Sequence, residues 1–343
     1  MGARFLWIIV VALTGCAASP AAPLASVTAE SAVPPADVDL TRAYLSLAQI
    51  QPPVVKPKAP AERKPLSDRA ARQIDRAQQL ASEQRYTEAS LELERALRYD
   101  PNHPQIHRAL AMINWEAGNL LRALEHASRA LEGDPDDAVV YYIKGRCDAA
   151  GGMHDSAITS FRTALLCGNI NERPDYAVLC HYYLAESLAE EDYLEAALEQ
   201  YAKFEAVAEK LKKVGASEAA KRLLRVTHGS AAEPKSEILE RLDRFSAAAD
   251  ALAPEVARRP DDVSLGVRHA RLLLTARRFP EARAAVREIP SDDQDFRLRA
   301  KAIRVPGGQR ANDLISACQP GARLPLELAL AHRARRHRPS DGE

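Results

Sequence analysis

Two consecutive stretches of the chain have the same length and the same pattern of small residues. Residues 70–103 read AARQIDRAQQLASEQRYTEASLELERALRYDPNH, and residues 104–137 read PQIHRALAMINWEAGNLLRALEHASRALEGDPDD. At a shift of 34 positions the small side chains stay in register through residue 171. The positions that recur are Ala77, Ala111 and Gly145; Ala89, Ala123 and Ala157; Ala96, Ala130 and Ala164; and Pro101 and Pro135. A fixed period of this kind indicates stacked copies of one supersecondary unit.

The columns resemble those of the tetratricopeptide repeat family. The resemblance implies an all-α fold, an α-solenoid of antiparallel helix pairs wound into a right-handed superhelix. Small residues let the two helices of a pair approach closely, and the prolines end the second helix because they cannot continue its hydrogen bonding. Complete units are expected at 70–103, 104–137 and 138–171. A fourth unit is expected after an insertion at 169–176. Its second helix lacks the closing proline, so a break in the regular superhelix is expected near Gly215, and weaker copies extend to about residue 290.

Composition supports helices and excludes one class of partner. The chain has 343 residues, with 47 Lys plus Arg against 47 Asp plus Glu and only 5% aromatic residues. Abundant Ala and Leu between charged residues is typical of amphipathic helices rather than sheets. A general nucleic-acid binder would show a basic domain or stripe, so no nucleic-acid partner is expected.

The N-terminus has the pattern of an export signal. The apolar run from Phe5 to Leu13 is too short to span a bilayer but fits the core of a secretory signal. The residues Leu13-Thr14-Gly15-Cys16 that follow resemble the bacterial lipoprotein box, which implies cleavage before Cys16 and lipidation of that residue. Ala17 in place of Asp favours the outer membrane, facing the periplasm. A secreted or soluble periplasmic protein, or an uncut anchor, is the alternative.

The chain is therefore expected to have five segments. They are a signal peptide at 1–15, a lipidated Cys and Pro-rich disordered linker at 16–66, an N-terminal repeat array at 67–214, degenerate helical repeats at 215–330 and a basic disordered tail at 331–343. The linker carries nine prolines and no glycine between residues 17 and 66, so it favours extended conformations. In the tail, His332 to Arg338 read HRARRHR. This basic segment either contacts anionic lipid or cell-wall polymer or stays solvated and disordered.

One part of the linker has a helical pattern. Leu40, Tyr44 and Leu47 fall on one apolar stripe of a short helix. This segment is either a docking peptide for a partner, a piece folded back on the solenoid, or disordered.

Nothing in the sequence has the spacing of a catalytic or cofactor site. HExxH, CxxC, a Gly-rich phosphate loop and GxSxG are all missing from the sequence. His103, His107 and His126 lie close together in sequence but have no ligand spacing for a metal. We therefore expect no enzyme activity, cofactor, metal or small-molecule substrate. The alternative is a cell-wall-associated accessory protein or envelope enzyme whose active groups lie in the irregular C-terminal region, 291–343.

The resemblance places a partner-binding groove on the first helices of the units. The expected groove residues are Arg108, Met112, Trp115, Tyr142 and Arg146. Their types are enriched at protein interfaces, although Met112 and Trp115 would also suit packing between units. The expected partner is an unidentified protein or peptide with apolar anchors, bound by a scaffold or assembly factor of the bacterial envelope.

Cysteines and charge add two further expectations. The resemblance implies that Cys167 and Cys180 lie on neighbouring stacked helices. They form either a disulfide with each other or a pair of buried free thiols. From Asp175 to Glu209 the chain has nine acidic residues and a single basic one, Lys203. This surface is expected to be solvated and acidic.

Overall fold

The protein is built from helices joined by short turns. The computed structural model describes residues 40–52, 54–60, 62, 65–211, 218–227 and 230–289, and these residues contain no β-strand. The helices are α1 Leu40–Ala43, α2 Asp68–Ser82, α3 Tyr86–Tyr99, α4 Pro104–Glu116, α5 Leu120–Gly133, α6 Ala138–Ala150, α7 His154–Leu166, α8 Pro174–Glu190, α9 Leu194–Leu211, α10 Glu218–Thr227, α11 Ala232–Arg241, α12 Phe245–Arg258, α13 Val263–Thr275 and α14 Phe279–Glu288.

These helices pack as successive hairpins. The pairs are α2 with α3, α4 with α5, α6 with α7, α8 with α9, α11 with α12, and α13 with α14. From α2 to α8 the first helix of each pair also contacts the first helix of the next, which makes these helices one layer. The expected all-α solenoid of helix pairs is confirmed.

Small residues allow the close approach within each pair. The alanines at 77, 89, 111, 123 and 157 are all fully buried. In the third pair Gly145 stands where the other pairs have alanine, and the ring of Phe161 fills the space. The recurring small side chains are therefore contact points between helices.

The turns inside the hairpins repeat as regularly as the alanines. A residue with positive φ follows the first helix in each pair: Gln84, Gly118, Gly152, Asp192, Asp243 and Arg277. A left-handed residue reverses the chain in a few positions, and glycine adopts this conformation without strain. The first three of these residues are spaced by the same 34 positions as the alanine columns, a signal that the sequence contained.

The core runs along the array in separate clusters. One cluster joins α2, α3 and α4. A second, which we call the central core cluster, extends from α4 to α11, and a third occupies α11 to α14. This division is typical of a solenoid, in which each unit packs only on its neighbours.

Regular pairing is interrupted after α9. After α9, the extra helix α10 packs on α8 rather than forming a hairpin. A smaller irregularity precedes α8, where a short 3-10 helix, Gly168–Glu172, overlaps the expected insertion. Ala220 and Leu223 of α10 are buried in the central core cluster. The break expected near Gly215 lies outside the described residues.

Part of the predicted linker is packed on the solenoid. We call residues 42–52 the N-terminal strap. Ala43 and Ile50 are buried in the central core cluster, whereas Tyr44 of the predicted stripe is 54% exposed. Arg162 of α7 donates from Nη1 to the carbonyl oxygens of Ile50 and Pro52, at 3.2 Å each. Of the interpretations open from the sequence, the strap follows the one that folds back on the array, so the expectation of a disordered linker is wrong for these residues.

Arg42 fixes the other end of the strap. Its Nη1 lies 3.4 Å from Oε2 of Glu191, and its guanidinium lies 5.5 Å from the ring centroid of Tyr193. Both residues belong to the segment between α8 and α9, so the strap contacts the third and fourth helix pairs.

Several sequence predictions concern residues outside the described ranges. These are the signal peptide, Cys16, the segment 291–330 with its alternative active groups, and the basic tail. Among the described helices, none has both the length and the apolar content that a bilayer crossing requires.

Candidate functional site

Three consecutive first helices meet at one arginine. The Arg146 guanidinium carbon of α6 lies 3.6 Å from the ring centroid of Tyr183 on α8 and 4.9 Å from that of Trp115 on α4. Its Nη1 also donates to the Tyr142 hydroxyl at 3.3 Å. A cation over aromatic faces is attracted by the ring quadrupoles. We call Trp115, Arg146 and Tyr183 the arginine–aromatic cluster.

The structure places the five predicted groove residues in different surroundings. Trp115, Tyr142 and Arg146 come together, but Tyr142 is only 3% exposed and packs against Phe161. Burial raises the pKa of Tyr142 far above its usual range. Tyr142 therefore supports Arg146 from the core and offers no groove surface of its own.

The remaining two predicted residues contribute less. Arg108 donates from Nη1 to Oδ2 of buried Asp137 at 2.9 Å, so its charge is neutralised within the array. Met112 is half-buried and packs against the central core cluster, as Trp115 also does. The positions of Met112 and of part of the Trp115 ring are therefore explained by packing between units, which was the alternative raised from the sequence.

A groove of about 470 Å³ continues from the arginine–aromatic cluster. The ends of α6 and α8 form one side of it, α11 forms the other, and Tyr201 of α9 also lines it. The residues that carry its chemistry are Arg146, Tyr183, Glu186, Glu190, Tyr201 and Glu237. Sequence reasoning missed the α8 and α11 contributions, although the acidic stretch from Asp175 to Glu209 contains two of the three glutamates.

The charged side chains that line the groove differ in how their charges are balanced. Arg241 at its edge is paired with Asp192 and donates to the Ala189 carbonyl at 2.9 Å. Burial raises the pKa of Glu186 to about 7, although the charge of Arg146 and a hydrogen bond from Tyr182 oppose this shift. Glu186 is an exposed residue of α8, so its carboxylate stays reachable from solvent although packed neighbours reduce its hydration.

Helix α10 lies beside the same surface. Burial raises the pKa of Tyr183, and the charges of Arg146 on α6 and Arg222 on α10 both oppose that rise. Because α10 packs on α8, it limits the inner face next to Tyr183. The groove therefore opens between α8 and α11, where regular stacking is interrupted.

The clustered histidines have structural surroundings. His107 and His126 stack with Nδ1 atoms 3.2 Å apart, and burial lowers the pKa of His107 to about 4. The His103 side chain caps α4 by accepting from the Gln105 backbone N–H. Within the described ranges, no three or more His, Cys, Asp or Glu side chains are grouped so as to hold a metal ion.

The cysteines of the array are thiols. Cys147, Cys167 and Cys180 are free and buried, so Cys167 and Cys180 do not form a disulfide in the structure. Cys167 donates from Sγ to the Thr163 carbonyl at 3.4 Å. Of the two arrangements open from the sequence, the structure has the buried free thiols.

Comparison with known proteins identifies part of the array. Residues 74–138 match the tetratricopeptide repeat family model, and no curated protein sequence matches the chain. The chain is similar to the MamA RS-1 ArsTM double mutant, at 16% identity over 58% of this chain and 99% of that one, with a TM-score of 0.45. It is also similar to Pseudomonas aeruginosa pilF, at 15% identity over 67% of this chain and 96% of that one, with a TM-score of 0.47.

A third solved structure has a comparable likeness. PilW, described as a widely conserved type IV pilus biogenesis factor, is 17% identical over 68% of this chain and 98% of that one, with a TM-score of 0.44. The family match is the more informative result, because it falls on the first helix pairs of the solenoid. The similarity to the tetratricopeptide repeat family covers residues 74–138, which include most of α2 and all of α3, α4 and α5.

Proposed function

We propose that the chain is a non-enzymatic scaffold that binds a protein partner along its inner groove and helps assemble a complex in the bacterial cell envelope. The observation that carries the proposal is the continuity of the arginine–aromatic cluster with the groove. Trp115, Arg146 and Tyr183 come from three successive first helices. Trp, Tyr and Arg are the residue types that dominate binding energy at protein interfaces.

The envelope part of the proposal rests on the N-terminal sequence. Leu13 to Cys16 resemble a lipoprotein box, and Cys16 would carry a lipid that holds the array at the outer membrane on its periplasmic side. Together the lipid anchor and the groove would present one partner to others at the membrane.

Site-specific photo-crosslinking tests the partner. A photoreactive amino acid replaces Ala150, an exposed residue that lines the groove, in cells that express the chain natively. The matched control replaces Leu121, which is 84% exposed on α5, the second helix of its pair. Irradiation should join a discrete protein to the chain at position 150 and not at position 121.

A second variant connects the crosslink to the cluster. Trp115→Ala removes an aromatic face from Arg146 and should reduce the crosslink at position 150 while the helical circular dichroism is retained. A crosslink of equal yield at positions 150 and 121, or one that survives Trp115→Ala unchanged, would argue against groove binding.

Lipid labelling tests the anchor separately. Incorporation of radiolabelled palmitate should be lost in Cys16→Ala and retained in Cys318→Ala. Equal labelling of the two variants would remove the lipoprotein part of the proposal and leave the groove part standing.

A further inference from the structure

Three carboxylates line the groove without a cationic partner. Glu186 and Glu190 lie one turn apart on α8, and Glu237 faces them from α11. Within the described part of the chain, none of the three forms an ion pair with Lys, Arg or His. Glu186 and Glu190 are close enough to repel each other, which adds to the rise in the pKa of Glu186.

Two arginines line the groove with these carboxylates, and only one of them is paired with a carboxylate. Arg241 is neutralised by Asp192, and Arg146 is held by Tyr183, Trp115 and the Tyr142 hydroxyl. Arg146 keeps its charge and acts on Glu186, so three carboxylates face one arginine that no carboxylate pairs. This excess gives the groove a negative potential, which its concave shape strengthens.

The hydroxyl of a buried tyrosine in the same groove lacks a partner. Tyr201 is 1% exposed and lines the groove, and no hydrogen bond joins its hydroxyl to any other described residue. Because Tyr201 lines the groove, its hydroxyl can donate to or accept from a molecule bound there. The Tyr201 hydroxyl is an unused hydrogen-bonding group beside the three carboxylates.

We propose that the groove binds a cationic side chain, arginine or lysine, carried by a segment of the partner protein. This rests on the proposed function and specifies the chemistry of the partner. A guanidinium has five N–H donors in a fixed fork, enough to reach carboxylates on both sides of the groove and the Tyr201 hydroxyl together. Its aliphatic stem would lie on apolar groove surface such as Ile238.

The protonation behaviour of Glu186 agrees with such a ligand. A bound cation favours the charged form of a neighbouring carboxylate, so it would reverse the rise in pKa that burial causes. A neutral apolar peptide would instead desolvate the three carboxylates further with nothing to compensate them.

Selection from a peptide library tests the proposal, because it lets the groove itself choose the chemistry of its ligand. A displayed library of random twelve-residue peptides is selected on the immobilised full chain and, in parallel, on the triple variant Glu186→Gln, Glu190→Gln, Glu237→Gln. The matched control is Glu132→Gln, which changes an exposed glutamate of α5. Peptides selected on the full chain should be enriched in Arg and Lys, and their affinity should fall about tenfold on the triple variant, the effect of losing one charged hydrogen-bonded pair. The Glu132→Gln control should bind them unchanged.

The outcomes separate this inference from the proposed function. Selected peptides that compete for the groove without basic enrichment, or that bind the triple variant equally well, would overturn the inference and keep groove binding. Failure to select any peptide that Trp115→Ala weakens would count against both. If basic peptides bind only after the chain is shortened to remove residues 332–343, the occupant is the basic tail of the chain itself, and the partner assignment is overturned.

Discussion

Gly145 of α6 faces Phe161 of α7 so closely that a methyl group on Gly145 would lie 2.7 Å from Cε1 of the ring. Phe161 is fully buried, so the ring has little room to move. Gly145→Ala should therefore destabilise the protein by about 1–3 kcal/mol, the usual cost of overpacking a core. Urea unfolding followed by circular dichroism measures this loss.

Two variants control the Gly145 experiment. Gly151 ends the same helix, and a methyl group there would meet its nearest neighbours at 3.4 to 3.5 Å, ordinary contact, so Gly151→Ala should change stability little. Phe161→Leu combined with Gly145→Ala should recover part of the loss by relieving the crowding. Equal losses for Gly145→Ala and Gly151→Ala would contradict this contact between α6 and α7.

The stacked histidines predict a loss of stability in acid. Burial lowers the pKa of His107 from 6.5 to about 4, and the nearby His126 adds to the shift. Between these values the unfolded chain binds a proton that the folded chain does not, so the free energy of unfolding decreases as pH falls from 6.5 to 4. The shift corresponds to a loss of up to about 3 kcal/mol.

The variant His107→Leu isolates this effect. It removes the titrating group, so the difference in unfolding free energy between pH 7 and pH 4.5 should shrink relative to the unaltered protein. Denaturant titrations at the two pH values give the comparison. An identical pH dependence in the two proteins would show that His107 is not responsible.

The N-terminal strap should be released by a charge at its buried end. Ile50 is 3% exposed, so Ile50→Asp would place an unpaired carboxylate in the core cluster, which is strongly unfavourable. The strap should detach, and chymotrypsin should cleave at Tyr44 several times faster. Val55, at 82% exposure, supplies the control, since Val55→Asp should leave the rate unchanged. A strap that is cleaved equally fast in the unaltered protein would refute the packed position.

The buried thiols should resist labelling until the protein unfolds. Burial raises the pKa of Cys167 to about 12, and the charge of Asp136 raises it further; burial also raises the pKa of Cys147 to about 12. The reactive thiolate is therefore scarce at neutral pH. Iodoacetamide should modify Cys147, Cys167 and Cys180 slowly in the native protein and rapidly in urea, with or without reductant, as mass spectrometry would show. Labelling of Cys167 in urea that requires reductant would reveal a disulfide.

The sequence predicted the helix pairs well because their determinants are local and periodic. Small residues at Ala77, Ala89 and their repeats can be read from spacing alone, since each unit packs only on its neighbours. The groove was only partly predictable. Inward-facing positions follow from helical spacing, but whether Tyr142 is buried and whether Arg146 stacks on Tyr183 depends on how three different units meet.

Two features depend on contacts between residues far apart in the chain. The strap reaches Arg162 across more than a hundred residues, and its sequence fitted a docking peptide equally well. Glu237 lies across the groove from Glu186 where α10 interrupts the regular order. The missing closing proline signalled a break near Gly215, but nothing in the sequence signalled how the helices on its two sides meet. Sequence reasoning therefore predicted the repeats and missed the α11 side of the groove.

If Cys16 carries the proposed lipid, the strap determines where a membrane would exert force on the protein. Arg42 lies 26 positions after Cys16, so the chain between them spans at most about 90 Å when fully extended. Because the strap lies against α7 and the segment before α9, tension on a lipid at Cys16 would enter the array through its third and fourth helix pairs. Any mechanical load from the bilayer would thus reach α8 and α9, which flank the groove, before it reached the terminal pairs.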